Sequence, residues 1–286
     1  VPHDTIFDEH RSLLTAVAYR VLGRWSDAED VVQDAWLRWS TVDIGQVEDP
    51  EGYLVRVTTR LAIDRLRSAA SRRETYVGPW LPEPILTTPD VADDVARSES
   101  VSLAMLLVLE SLSPLERAVF VLHEAFGYSH GEIANIVERS PESVRQAASR
   151  AREHVSRKRR RYDTDQATRR KVTESFMSAS AGGDLASLME VLAPDVRLVC
   201  DGGGLAPAPR KAIDGIDLVA RALVTFAGRM PEAPRVVVTE VNGGPGIVIY
   251  SGETPAAVIV LHLVDGRARE IHLISNPEKL TAVASL

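Results

Sequence analysis

The stretch Ser140 to Val155, SPESVRQAASRAREHV, decides how this chain is read. Ser140 suits an N-cap, and Pro141 falls at the first helical position, where its missing N–H goes unused. Val144, Ala148, Ala151 and Val155 recur at helical spacing and predict a narrow buried stripe. Ser143, Arg145, Gln146, Ser149, Arg150 and Arg152 take the other faces, with side chains suited to phosphates and base edges. Upstream, Ser129-His130-Gly131-Glu132 has the S-x-x-E capping-box form and opens a short helix with Ile133, Ala134, Ile136 and Val137 on its apolar side. Two short helices joined by a turn of about three residues make a helix-turn-helix, and its second helix is the one expected to enter a DNA groove.

The chain has 286 residues, which predicts two or three domains. A single cysteine, Cys200, excludes an intramolecular disulfide framework and fits a reducing cytosol. No apolar run approaches the ~20 residues that span a bilayer, and the N-terminus lacks a signal-peptide pattern, so a cytoplasmic protein is expected. The net charge of −7 opposes nucleic-acid binding only if charge is spread evenly. It is not: residues 143–171 hold eleven Arg or Lys against three Asp or Glu, whereas residues 76–105 hold one basic and five acidic residues.

Residues 5–40 read as helices broken at Gly23-Arg24-Trp25. Ser26-Asp27-Ala28-Glu29 predicts a second capping box, starting a helix through Trp39. Asp30, Asp34 and Arg38 lie on one of its sides, beside Leu37. A further helix is predicted from about Glu51 to Arg73, where Arg56, Arg60 and Arg67 align with Asp64 into a mostly basic face. Tyr76 to Pro84 surrounds Trp80 and Leu81 with three prolines, predicting an extended segment that docks on something, because a solvated spacer has no need of Trp and Leu. The acidic run Asp90, Asp93, Asp94 and Glu99 reads as solvated. Leu112-Ser113-Pro114-Leu115-Glu116 restarts a helix with Ser113 as its cap. Arg157 to Arg161 is a basic block beyond the second helix of the helix-turn-helix.

After Arg170, two short helices are predicted, Val172–Ala181 and Asp184–Leu192. Alternating strands follow at Arg197–Val199, Arg235–Val241, Gly246–Tyr250, Ala256–Val264 and Arg267–Ser275, with Asp265-Gly266 as a hairpin turn. This pattern predicts an α+β domain with a mostly antiparallel sheet. Asp201-Gly202-Gly203-Gly204 lacks the pattern of a phosphate loop and reads as a tight turn or close backbone approach. No Cys/His spacing suits a metal and no cofactor is expected. His262 and His272 read as core or edge histidines rather than catalysts.

Four features then coincide. Asp27 to Leu37 resembles region 2 of the bacterial extracytoplasmic-function sigma factors, and Leu61-Ala62-Ile63-Asp64-Arg65-Leu66-Arg67 resembles the family helix that melts and reads the −10 promoter element. Leu112 through Arg152 is similar to region 4, whose helix-turn-helix reads the −35 element. Trp80-Leu81-Pro82-Glu83-Pro84, Asp201-Gly202-Gly203-Gly204 and Asn276-Pro277-Glu278-Lys279-Leu280 are similar to motifs of the SigJ-type subgroup, which carries a fused SnoaL-like domain, a nuclear-transport-factor-like α+β cone. Two positions depart from the family. Ala147 stands where many members have a basic residue, and Arg60 stands where Asn is frequent, so the −10 base preference does not carry over.

The resemblance implies two all-α domains followed by the α+β cone: residues 1–75 as region 2, 76–100 as linker, 101–160 as region 4, 161–171 as a basic connector and 172–286 as the SnoaL-like domain. It implies a sigma factor, not an enzyme, acting with RNA polymerase core and promoter DNA. Asp27, Asp30, Asp34 and Leu37 would face the core. Arg56, Arg60, Arg65 and Arg67 would hold the −10 strand, and Ser143, Arg145, Gln146, Ser149 and Arg150 the −35 element. Trp80–Pro84, Asp201–Gly204, Asn276, Pro277 and Lys279 would form an interdomain regulatory contact, with no obligatory separate anti-sigma factor. The alternative is a small-molecule-binding, isomerase-like or hydrolase-like domain with a helix-turn-helix regulator, in which the C-terminal domain takes an unidentified small ligand.

Overall fold

A computed structural model describes residues 2–73, 76–87, 102–159, 165–182, 184–229 and 234–283. The chain forms two compact units: residues 1–74, 89–101 and 105–158 in the first, and residues 75–88, 102–104 and 159–286 in the second. The acidic run at Asp90, Asp93, Asp94 and Glu99, and Arg160 and Arg161 of the basic block, lie outside the described residues.

The first unit opens with α1 (His3–Leu22), α2 (Trp25–Trp39) and α3 (Pro50–Arg73). Gly23 ends α1 in the left-handed conformation, φ 71°, and its N–H bonds the Tyr19 carbonyl, as glycine C-caps do. The expected capping box at Ser26 does not form. Arg24 is the extended N-cap and α2 starts at Trp25, which places Ser26 inside the first turn. Trp39 is fully buried and its Nε1 donates to the His3 carbonyl at 3.0 Å, while Trp36 meets Phe7 edge-on at 5.2 Å. These contacts bind the start of α1 to the end of α2.

The remaining helices, which fall in this unit from Met105 through Lys158, are α4 (Leu103–Glu110), α5 (Pro114–Phe120), a π-helical turn (Val121–Ala125), α6 (His130–Val137) and α7 (Pro141–Arg159). Ser113 and Ser129 both form full capping boxes, with Glu116 and Glu132 reaching back to the cap residues. The Ser140 hydroxyl accepts from the Ser143 N–H at 3.2 Å. Val144, Ala148, Ala151 and Val155 are buried as the spacing predicts, and Ala147 is buried with them. The buried Arg117 guanidinium pairs with Glu110 and ties α5 to α4.

The second unit contains α8 (Gln166–Gly182), α9 (Leu185–Val191), α10 (Ile216–Ala227) and a six-stranded mixed sheet. The strands are β1 (Leu192–Asp201), β2 (Ile213–Asp214), β3 (Arg235–Val241), β4 (Gly244–Ser251), β5 (Thr254–Val264) and β6 (Arg267–Ile274), in the order β2-β1-β6-β5-β4-β3. All neighbours are antiparallel except β1 and β6. This is the α+β domain expected, with corrections: α8 begins six residues earlier than Val172, and α10 and β2 were not expected. Asp265 and Gly266 both have positive φ, 52° and 72°, as the two-residue hairpin requires.

Both faces of the sheet are buried. Ile247, Ile249, Ile259, Leu261 and Ile271 share a core with Phe176, Leu188, Val219 and Leu223 of the helices. Alternation sends Val248, Tyr250 and Val258 the other way, yet they are fully buried too. On that side the Tyr250 hydroxyl donates to the Val283 carbonyl, and Leu86 bridges to Val241 at the end of β3. Residues 76–87 therefore belong to this unit.

His262 and His272 are both buried, with His262 Nε2 2.6 Å from His272 Nδ1 and His272 Nε2 3.0 Å from Glu270. Burial pushes the His262 pKa well below its ordinary 6.5, with the neighbouring His272 and Arg169 acting in the same direction and Glu270 against it. The folded chain thus keeps His262 neutral where the unfolded chain takes up a proton. Stability of the second unit should be fully expressed above pH 6.5 and fall as the pH drops below it. Calorimetry of the full chain between pH 7.5 and 5.5 checks this: the second unit should melt progressively lower, and His262→Gln should flatten the trend.

Candidate nucleic-acid interface and linker dock

On α7, Arg145, Gln146, Ser149 and Arg150 are exposed and Ser143 is half-buried. The backbone path explains why: the buried stripe at Val144, Ala147, Ala148 and Ala151 turns these side chains outward. Arg150 Nε donates to Glu116 Oε1 at 2.6 Å. Burial pushes the Glu116 pKa up, but the bonds from Arg150 and Ser113 prevail and its net shift is downward. Arg152 is held by Glu124 at 2.7 Å. Ala147 is fully buried, so in this chain that position packs the core of the helix-turn-helix rather than facing outward.

The described basic side chains of α3 divide into three groups. Arg56 lies over the Tyr53 ring, 5.2 Å from its centroid, and Arg67 pairs with Asp64 at 3.0 Å on the exposed surface. Arg65 turns to α2 instead, bonding Asp27 at 2.8 and 3.0 Å and Asp30 at 2.6 Å. The Asp27 bond is the largest influence raising the Arg65 pKa. Asp27, 8% exposed, is thereby committed to the α2–α3 contact. Asp30, Asp34 and Leu37, at i, i+4 and i+7, share one exposed face of α2, and Leu37 is 58% exposed. Arg60 forms the third group. Its Nε donates to the Ile136 carbonyl at 2.9 Å and its Nη2 lies 2.7 Å from Glu138 Oε1.

The linker dock lies within the second unit and is built by the parallel pair β1–β6. Asp201 ends β1 opposite Ile274 of β6, so the segments that follow, Gly202–Gly204 and Ser275–Lys279, leave the sheet side by side. The Asp201 carbonyl accepts from both Ser275 N–H and Asn276 N–H. Its carboxylate, fully buried, accepts from the Tyr76 hydroxyl at 2.5 Å, from Leu81 N–H at 2.7 Å and from Lys279 Nζ at 2.5 Å. Lys279, 1% exposed, also donates to the Leu81 carbonyl at 2.6 Å. Its ammonium lies 4.2 Å from the Trp80 ring centroid and 4.9 Å from that of Tyr76, within cation–π range.

Local chemistry sets this geometry. Asn276 caps the short helical turn Pro277–Lys279 and donates from Nδ2 to the Tyr76 hydroxyl at 2.9 Å. Gly203 and Gly204 have φ of 61° and 78°; a Cβ on the first would collide with Asn276, and on the second would lie 3.1 Å from Val77. Gly202 leaves room for the Ala206 carbonyl. Leu81, Pro82, Glu83 and Pro84 are buried, and Thr281 donates to Glu83. The structure thus brings together the Trp80–Pro84, Asp201–Gly204 and Asn276–Lys279 segments. The sequence reading missed Tyr76, Ile85, Thr87 and Asn242. Ile85 exchanges backbone and side-chain bonds with Asn242, and Thr87 bonds Glu240 and Gly243. The apolar pair Ile85-Leu86 after Pro84 was the available signal. Among the described residues no cluster of three or more His, Cys, Asp or Glu could hold a metal, and no helix is long and apolar enough to cross a membrane.

The sigma-70 region 2 family matches residues 6–72, and the sigma-70 region 4 family matches residues 102–155. The chain is 37% identical over 291 residues to the ECF RNA polymerase sigma factor SigJ of Mycobacterium tuberculosis, covering 96% of this chain and 92% of that protein. It is 33% identical over 282 residues to a probable ECF sigma factor of the same organism, SigI, covering 98% and 95%. It is also similar to the crystal structure of Mycobacterium tuberculosis SigJ, with a TM-score of 0.77, 34% identity and coverage of 96% and 97%. Two helical promoter-factor domains, in family order and matched along with the α+β domain by full-length relatives, leave one conclusion: this chain belongs to the extracytoplasmic-function sigma factors, non-enzymatic subunits that bind RNA polymerase core and direct it to promoter DNA.

Proposed function

We propose that this sigma factor is regulated in cis, through the docking of its own interdomain linker on the α+β domain. The observation that carries the reading is the buried Asp201–Lys279 pair, which holds both the N–H and the carbonyl of Leu81. A peptide held at both ends by buried charges is fixed, and residues 76–87 are therefore unavailable as free spacer. The chain left between Thr87 and Leu103 reaches at most about 3.3–3.6 Å per residue. Docking so limits the separation the two DNA-reading domains can adopt. Because the linker is tethered beside its dock, effective concentration favours the bound state. Core polymerase drives undocking by preferring the released form. No separate anti-sigma factor is needed for this control, and the protein works in the cytoplasm with its polymerase.

In the same reading, Asp30, Asp34 and Leu37 present a continuous face to core polymerase. Arg56 and Arg67 hold the −10 strand. Arg145, Gln146, Ser149 and Arg150 contact the −35 element, with Ser143 at the helix N-terminus. Arg65 and Asp27 act beneath this surface by fixing α2 against α3.

Lys279→Ala should strand the Asp201 carboxylate, at a cost of about 3–5 kcal/mol to the second unit. Trp80→Ala should weaken the dock without disturbing the first unit. Both should accelerate protease cleavage within residues 76–87 and change promoter-specific initiation by reconstituted holoenzyme. Unchanged cleavage together with unchanged initiation in both variants would remove the cis-regulatory reading. For the DNA surface, Arg145→Ala in holoenzyme should lower promoter affinity and reduce the slope of log affinity against log salt by about 0.9. An identical slope would exclude a phosphate contact there.

A further inference from the structure

Two residues that each look out of place meet in the first unit. Glu138 follows α6 in the left-handed conformation, φ 51° and ψ 53°, where glycine or asparagine is the unstrained choice. Arg60 belongs to the basic face of α3 yet spends its guanidinium on protein groups. Their side chains pair at 2.7 Å. The Arg60 guanidinium also reaches the end of α6, with Nε 2.9 Å from the Ile136 carbonyl and Nη2 3.5 Å from that of Asn135. The last carbonyls of a helix lack partners inside it and carry its negative dipole end. Arg60 therefore caps a helix 76 residues away in sequence.

Neighbouring contacts belong to the same interface. Tyr128, in the loop before α6, bonds Glu51 in the first turn of α3; burial, then the charges of Glu51, Asp49 and Glu132, push its pKa up to about 12. Arg20 of α1 lies over the Phe126 ring at 4.8 Å. The π-helical turn just before Phe126 places this loop, and such turns recur at functional sites. Of these contacts only the Arg60 pair uses a residue of the face assigned above to the −10 strand.

We propose that Arg60 and Glu138 form a latch that holds the helix-turn-helix against α3 and covers part of the −10-reading face. A guanidinium bonded to two α6 carbonyls and a carboxylate is not free for a promoter strand. Phosphates of that strand compete for the same cation, so promoter engagement and latch release are one exchange. Glu138 keeps its strained backbone because its carboxylate is what Arg60 meets. The inference deepens the cis-regulatory reading and rests on its premise that the DNA-reading domains separate for initiation.

Glu138→Gly is the discriminating variant, since it removes the carboxylate while relieving the left-handed backbone, and it alters no residue assigned to DNA or polymerase. Spin labels at Ser68 on α3 and Ser156 on α7, both exposed, report the distance between these helices in the full chain. Glu138→Gly should enlarge the separated population about two- to fivefold, the range for an exposed ion pair. Glu138→Arg, which repels Arg60, should enlarge it further. In an Arg60→Ala background, Glu138→Gly should have no additional effect, because the interaction is already gone. The melting temperature of Glu138→Gly should not fall, which separates opening from unfolding. Distance distributions unchanged in both Glu138 variants would overturn the latch, as would an undiminished Glu138→Gly effect without Arg60. Promoter-specific initiation measured in parallel isolates the premise: wider distances with no gain in initiation keep the latch and remove its regulatory role, whereas altered initiation in Lys279→Ala with unchanged distances in the Glu138 variants keeps the linker reading and removes the latch.

Discussion

The ion pair between Asp201 and Lys279 organises the second unit. Both groups are removed from water, with exposures of 0% and 1%. Their mutual attraction offsets desolvation only where the remaining hydrogen-bonding positions are also filled. Asp201 receives three donors, and Lys279 meets a carboxylate, a carbonyl and two aromatic faces. Several of those groups come from the linker. Linker, Gly-rich turn and C-terminal turn are therefore interdependent, and withdrawing one leaves charge uncompensated in the others. The feature that makes this convergence available is topological: β1 and β6 are the one parallel pair in the sheet, so two strand ends distant in sequence open at the same edge.

The first unit solves a different electrostatic problem. It is rich in arginine, but the fold distributes those charges unequally. Arg65 is spent on Asp27 and Asp30, Arg117 on Glu110, and Arg150 is steered by Glu116. A guanidinium with one nitrogen held still presents its other N–H donors in a fixed fork. Arg150 thus combines 60% side-chain exposure with a set orientation, which leaves it less conformational entropy to lose in any further contact.

Local signals carried much of the fold into the sequence. The Ser113 cap, the capping box at Ser129, the Ser140-Pro141 start and the Asp265-Gly266 turn depend on neighbours within four residues, and each forms as expected. Ser26 failed because Arg24 already adopts the extended cap conformation, so the helix begins before the serine is reached. Helix α10 was missed because its N-cap is Gly215, which has no side-chain oxygen to advertise a start. The dock was legible as three motifs through their family resemblance, yet its wiring was not. Tyr76 finds Asp201 across 125 residues and Ile85 finds Asn242 across 157, and no local periodicity encodes such pairs. Charge patterning likewise showed a basic face of Arg56, Arg60 and Arg67 on α3, but it could not show that Arg60 is taken up by Ile136 and Glu138.

The wide sequence span of the dock sets an order of events during synthesis. A ribosome completes both helical promoter-reading domains, through Arg159, before it reaches either Asp201 or Lys279. The anchor for the linker is thus translated more than a hundred residues after the linker itself. A nascent or prematurely terminated chain carries the DNA-reading parts with an untethered connection between them. The dock can therefore close only after both helical domains have been made.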